Sequence, residues 1–268
     1  MPTSNFRKVR PGAGAMYYAA EAAGLEWLRV ESGPPIPEII SVGQAALEIE
    51  RISESSPSSA AAEAFGAALA AMHNTGADAF GVGPPTAPGS GWIADVPMPY
   101  GTFDSFGPMY AELRIRPYLK LAREVEAFTA DEFAVFEQLC DRLLGDDPSL
   151  VGPGEPPARI HGDLWSGNLL WAPDRDGNPA VWLVDPAAYG GHRETDLAML
   201  ALFGAPQFDR IVGAYCDVNP LADGWRTRIP LHQVYPLLVH TVLFGGGYAG
   251  QAVVATHSAL GIPSPLSS

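Results

Sequence analysis

Residues 160–168, IHGDLWSGN, gather a histidine, an aspartate, an asparagine and two glycines between apolar runs. Asp163 and Asn168 stand five apart, where one apolar run ends and the next begins. The chain then passes through LLW, the turn APDRDGNP and AVWLVD, which ends on Asp185. An apolar hairpin closed by an Asp-Gly turn would bring Asp163, Asn168 and Asp185 to one end of a small sheet. Two carboxylates and an amide placed together suit phosphoryl transfer from Mg-ATP. One carboxylate orients a substrate hydroxyl and takes its proton, and the other oxygens hold hard magnesium ions against the phosphates. An ordinary Asx-rich turn followed by a strand end uses the same residue types, so the spacing acquires meaning only with the elements around it.

Those elements can be read from periodicity. MYYAAEAAGLEWLRV predicts a helix from Met16 to about Val30, stopped by GPPIP. EIISVGQAALEIERI predicts two strands ending near Ile52, and the serine-rich stretch after it predicts a lobe boundary around 53–58. Phe65, Leu69 and Met72 then fall on one face of an alanine-rich helix. Residues 76–104, dense in Gly and Pro, are expected to be irregular. Thr129 and Glu132 stand at capping-box spacing before an apolar face of Phe133, Phe136, Leu139, Cys140 and Leu143, and Gly145 ends that helix. From Arg193 to about Leu260 the pattern predicts helices interrupted at Pro206, Pro220, Pro230 and the glycines 245–247.

Composition sets the outer limits. The 268 residues are 47% hydrophobic and 17% charged, enough to bury a large core. A formal charge of −14 disfavours nucleic acid and anionic membranes as partners. Cys140 and Cys216 form no metal or disulfide pattern, the N-terminus lacks a signal-peptide core, and YPLLVHTVLFGGGY is broken by His240 and three glycines. The expectation is a cytoplasmic protein.

His161, Asp163, Leu164, Asn168 and Asp185 match the protein-kinase pattern H-R-D-L-x-x-x-N followed by a metal-binding aspartate. Gly162 replaces the arginine that pairs with a phosphorylated loop, which argues against such control. HGDLWSGNLLW, DPAAYGGHRETDLAML, PLADGWRTRIPLHQVYPLL and LFGGGY together resemble the fructosamine-3-kinase (ketosamine kinase) family of the protein-kinase-like superfamily. The resemblance extends through EAAGLEWL and FGAALAAMH to most of the chain.

That resemblance implies roles. Asp163 would be the catalytic aspartate, and Asn168 and Asp185 would hold Mg2+ bridging the phosphates of ATP. Lys8, in FRKV, would reach the ATP phosphates with Glu21 as its ion-pair partner, and the backbone around Glu50 to Ile52 would meet adenine. Asp196 would brace the catalytic loop. His161 reads as a hydrogen-bonded structural residue. Trp92, Phe106, Tyr110, His192 and Trp225 read as packing or loop anchors.

The implied fold is α+β and two-lobed: an N-terminal nucleotide lobe over 1–53 and a mainly helical catalytic and substrate lobe over 54–268. Family members carry two strands and a covering loop ahead of the lysine, and seven residues precede Lys8, so the N-terminal lobe is expected to be truncated. The implied reaction is ATP-dependent phosphorylation of the O3 hydroxyl of a free or protein-bound ketosamine, serving deglycation. A phosphotransferase of aminoglycoside type and an inactive kinase-like binding protein remain as alternatives.

Overall fold

A computed structural model of the chain describes residues 5–263. Strand β1 (Asn5–Lys8) leads into α1 (Ala15–Leu28), followed by β2 (Ile39–Val42) and β3 (Leu47–Glu50). The strands form an antiparallel sheet in the order β1-β3-β2, with Lys8 opposite Leu47 and Phe6 opposite Ile49. Residues 51–58 carry no regular element, and α2 (Ser59–Asn74) starts where Ser58 accepts the Ala61 amide proton, an N-cap of the kind serine favours.

A hairpin of β4 (Gly91–Ile93) and β5 (Val96–Met98) comes next. Three helical pieces then run on: α3 (Phe106–Met109), a π-helical turn at Tyr110–Ile115 and α4 (Arg116–Glu124). The helix α5 (Ala130–Leu144) has the expected capping box, with Glu132 and Thr129 bonded reciprocally and Gly145 at its C-cap. After α6 (Pro148–Val151), β6 (Ala158–Ile160) pairs with β9 (Tyr189–Gly191), and β7 (Leu169–Trp171) pairs with β8 (Val181–Leu183). Four helices close the fold: α7 (Glu194–Leu202), α8 (Phe208–Val218), α9 (Trp225–Phe244) and α10 (Gly247–Leu260).

Burial divides into two apolar clusters. One joins α4, α5, α9 and α10 through residues such as Tyr118, Phe136, Leu238 and Val253. The other joins Tyr18, Leu25 and Leu28 of α1 and Ile49 of β3 to Phe65 and Leu69 of α2 and to Leu164, Leu183 and Leu197. The N-terminal sheet and helix therefore share their core with the β7–β8 hairpin, so displacing α1 would also expose the underside of that hairpin.

Two expectations are corrected. Residues 76–104 are not wholly irregular, because they contain the β4–β5 hairpin and a bridge between Phe80 and Phe103. Its strands span three residues each and include Pro97, too short for alternation to register. Pro230 does not interrupt the last helices, since α9 passes through both Pro230 and Pro236. An interior proline costs ~3 kcal/mol, and α9 offsets it by burying Leu231, Val234, Leu237 and Leu238.

Candidate active site

The loop after β6 is fixed by hydrogen bonds reaching it from distant elements. His161 is fully buried, with Nε2 at 2.9 Å from the Val184 carbonyl, and its Nδ1 accepts the Asp163 amide proton at 3.2 Å. Those two bonds select the neutral Nε2–H tautomer, and burial holds the imidazole below its ordinary pKa. His161 is thus a structural residue, as expected. Asp196, near the start of α7, accepts from the amides of His161 (2.8 Å) and Gly162 (2.9 Å). Its carboxylate also faces His73 Nε2 at 3.1 Å, and His73 Nδ1 meets the Tyr215 hydroxyl at 2.8 Å. Burial opposes the charge on Asp196, but these bonds, led by that from His73, hold its pKa below the usual value. Gly162 sits at φ +79, where a Cβ would lie 2.1 Å from the Ala187 carbonyl oxygen. The loop and the Asp185–Ala188 segment approach too closely there for a side chain.

From this frame Asp163 projects half-buried toward the cleft. Asn168 is buried, and its Nδ2 donates to the Asp163 carbonyl at 2.7 Å and to Asp163 Oδ2 at 3.3 Å. Burial raises the Asp163 carboxyl from the usual 3.8 to about 7; the Asn168 hydrogen bond opposes this and the Asp185 charge adds to it. Asp185 follows β8 in a left-handed conformation, φ +55. Its Oδ1 lies 2.8 Å from Lys8 Nζ, and the same ammonium lies 2.8 Å from Glu21 Oε2. Burial works against the lysine charge, yet Glu21 and Asp185 together outweigh it and raise the Lys8 pKa. Glu21 is buried on α1, and its Oε1 has no hydrogen-bond partner.

One cleft of about 240 Å³ is lined by Lys8, Glu21, Asp163, Asn168 and Asp185. Five of the expected site residues therefore share a cavity, although they come from β1, α1 and the segments flanking the β7–β8 hairpin. Glu50 and Ile52 do not line it. The Glu50 carboxylate instead accepts from Arg175, in the turn between β7 and β8, and from the Glu38 amide. Sequence reasoning passed over several lining residues: Arg10, Tyr17, Tyr100, His240 and Phe244. Trp92, read as packing, also lines the cleft, as does Trp165, which is 40% exposed. The signal missed at His240 was a polar residue inside an apolar run.

A second polar cluster lies in the core. His192, Glu194 and His232 place one ligand atom each within 4.8 Å of one another; most of their polar atoms are engaged, and the buried His232 Nε2 has no hydrogen-bond partner. Arg228 grips Glu194 with Nε (2.9 Å) and Nη2, the Glu194 amide donates to His192 Nδ1 (3.2 Å), and His232 Nδ1 meets Thr195 Oγ1 (2.9 Å). A guanidinium on the carboxylate opposes any further cation, so the cluster serves to tie α7 to α9.

Comparison with known proteins follows the same lines. The family model described as fructosamine kinase matches residues 3–261. A probable ketoamine kinase of Synechocystis sp. is 33% identical over 256 residues, covering 92% of this chain and 80% of the relative. One from Enterococcus faecium is 29% identical over 253 residues, covering 92% and 84%. The crystal structure of a putative fructosamine-3-kinase from Thermobifida fusca matches with a TM-score of 0.86 at 45% identity, covering 96% of this chain and 86% of that one. An aminoglycoside phosphotransferase matches at 0.57 with 16% identity, covering 97% and 88%, which shows a common α+β, two-lobed kinase-like fold.

Proposed function

We propose, for a chain that belongs to the fructosamine kinase family, that it transfers the γ-phosphoryl group of ATP to the O3 hydroxyl of ketosamines such as fructosamine and ribulosamine. The observation that carries this reading is the convergence of Asp163, Asn168, Asp185 and the Lys8–Glu21 pair on one cleft. Asp163 is the base. It is oriented by Asn168, and a carboxyl pKa of about 7 lets it take a hydroxyl proton near neutral pH without being a strong acid. Lys8 is held charged between Glu21 and Asp185, ready to meet phosphate oxygens.

The donor set suits Mg2+. The Asn168 amide nitrogen is spent on Asp163, which leaves its Oδ1 as an oxygen ligand beside the Asp185 carboxylate. Asn168 and Asp185 would hold the ion, which when bound supplies neutralisation of the phosphate charge. The adenine would meet the backbone after β3, near Glu50 and Ile52, whose side chains play no part in this reading.

The acceptor enters beside Trp165 and His240, which line the same cleft. Phosphorylation at O3 makes the adduct unstable and frees the amine, which is a deglycation role. The net charge of −14 favours a protonated ketosamine nitrogen. High salt should then raise the KM for a cationic ketosamine, and an unchanged KM removes that point. Among the described residues no helix is long and apolar enough to cross a membrane; the reaction is placed in the cytoplasm in this reading. The test is ATP consumption with ribulosamine and fructosamine adducts of lysine, run beside an aminoglycoside panel. Ketosamine-dependent turnover with a 3-phosphate product is expected; turnover on aminoglycosides alone would overturn the reading.

A further inference from the structure

The β4–β5 hairpin is rooted in the larger apolar cluster, where Ile93, Val96 and Met98 are buried. Its tip reaches the other way, toward the segment that carries Lys8 and Glu21. Exposed Asp95 pairs with the Arg10 guanidinium, and Arg10 Nη1 donates to the Tyr17 hydroxyl at 2.6 Å. The Arg10 amide donates to the buried Tyr18 hydroxyl at 2.9 Å. Trp92 meets the Tyr17 ring edge-on, with centroids 6.0 Å apart. At the turn Ala94 is held at φ +49, a conformation that costs an L-residue ~1 kcal/mol and persists where surrounding contacts over-determine it.

The placement of these contacts matters. Arg10 stands two residues after Lys8, and Tyr17 lies one helical turn before Glu21. Between them, residues 9–14 are largely exposed and hold Pro11 and two glycines, and Gly14 at the N-cap of α1 gives no side-chain cap. Across this stretch the end of β1 is tied to α1 by the bonds of Arg10 to Tyr17 and Tyr18. The hairpin holds Arg10 and Tyr17 from outside, at the point where the two elements must keep an ammonium and a carboxylate in register.

We infer that the Asp95–Arg10 contact, with Trp92 on Tyr17, is a latch that positions Lys8 and Glu21 for phosphoryl transfer. Arg10 and Asp95 are positioning residues: they act through Lys8 and Glu21. The kinetic consequence rests on the kinase reading, and the latch itself does not. An exposed ion pair contributes at most about 1 kcal/mol to stability, so its loss should leave folding nearly unchanged. Misplacing reacting groups by ~1 Å costs ~10²-fold in rate, and a partial loosening is expected to cost about 5-fold.

The experiment compares the native chain with Asp95→Ala and Asp95→Glu. In Asp95→Ala, kcat should fall about 5-fold while the thermal midpoint holds within ~2 °C, and Asp95→Glu should restore most of the rate. Salt at ~0.5 M should lower kcat of the native chain and leave Asp95→Ala unmoved, because screening removes only what the variant lacks. Hydrogen exchange by mass spectrometry, without substrates, should be faster over residues 9–17 and 91–98 in Asp95→Ala. Equal exchange in both proteins, or faster exchange with unchanged kcat, overturns the latch. If the native chain transfers no phosphate to ketosamines, the substrate reading fails, and exchange alone decides the latch.

Discussion

The two polar clusters use similar residues to opposite ends. Around the cleft, Glu21 and Asp185 share one ammonium, Lys8, while Asp163 has only the Asn168 amide as a side-chain donor. In the core, Glu194 is gripped by Arg228 through two nitrogens and approached by His232 at 3.4 Å, and Glu155 is gripped likewise by Arg193. A carboxylate can accept about four hydrogen bonds; each core carboxylate uses two on a guanidinium, whereas each cleft carboxylate meets a single side-chain donor group. The acid constants follow. Burial raises Asp163 to about 7, whereas the burial of Glu194 is outweighed by His232 and Arg228, and its carboxyl falls to about 2. Spare acceptor capacity at a cavity, more than the presence of acids and histidines, separates a site for chemistry from a structural knot.

The contrast can be broken in four ways. The largest effect is expected from Asp163→Asn, which should lower turnover by ~10²–10⁴-fold, the usual contribution of a positioned base, with the fold intact by circular dichroism. Near-native turnover would remove the base. Glu194→Gln should act on stability instead, because it leaves the Arg228 charge poorly paired in the core. A loss of about 3 kcal/mol is expected, seen as a fall of roughly 6–12 °C in thermal midpoint. A shift below ~1 kcal/mol would erase the difference between the clusters.

The pH dependence sharpens the comparison. Asp163 holds its proton more tightly folded, at about 7, than unfolded, near 3.8. The native chain should therefore lose stability relative to Asp163→Asn as pH rises between those values, measured by urea unfolding in EDTA. Glu194 runs the other way: its contribution is present above the usual 4.5 and is lost as pH falls toward about 2. The gap between native and Glu194→Gln should close in that lower window. Parallel pH profiles for the two variants would contradict the assignment.

What was legible in the sequence was mostly local. The capping box of Thr129 and Glu132, the Asp-Gly turn of the β7–β8 hairpin and the Asp163–Asn168 spacing each depend on neighbours within a few residues. Lys8 and Glu21 entered only through family resemblance, since nothing within FRKV or EAAGL indicates that they meet each other or Asp185. The partners that could not be read lie far apart: Asp95 with Arg10, Glu50 with Arg175, Arg228 with Glu194. Pro230 misled because proline reports a local cost, whereas α9 is held by tertiary burial. The β4–β5 hairpin escaped because a three-residue strand holding Pro97 carries no period to detect.

Gly162 has an evolutionary corollary. Restoring an arginine there would recreate the letters H-R-D but not a switch, because its Cβ would fall 2.1 Å from the Ala187 carbonyl oxygen at a φ of +79. Two backbone segments would have to be re-routed before any charge at that position could answer a phosphate. In this chain, therefore, a single substitution at position 162 would not install phosphorylation control.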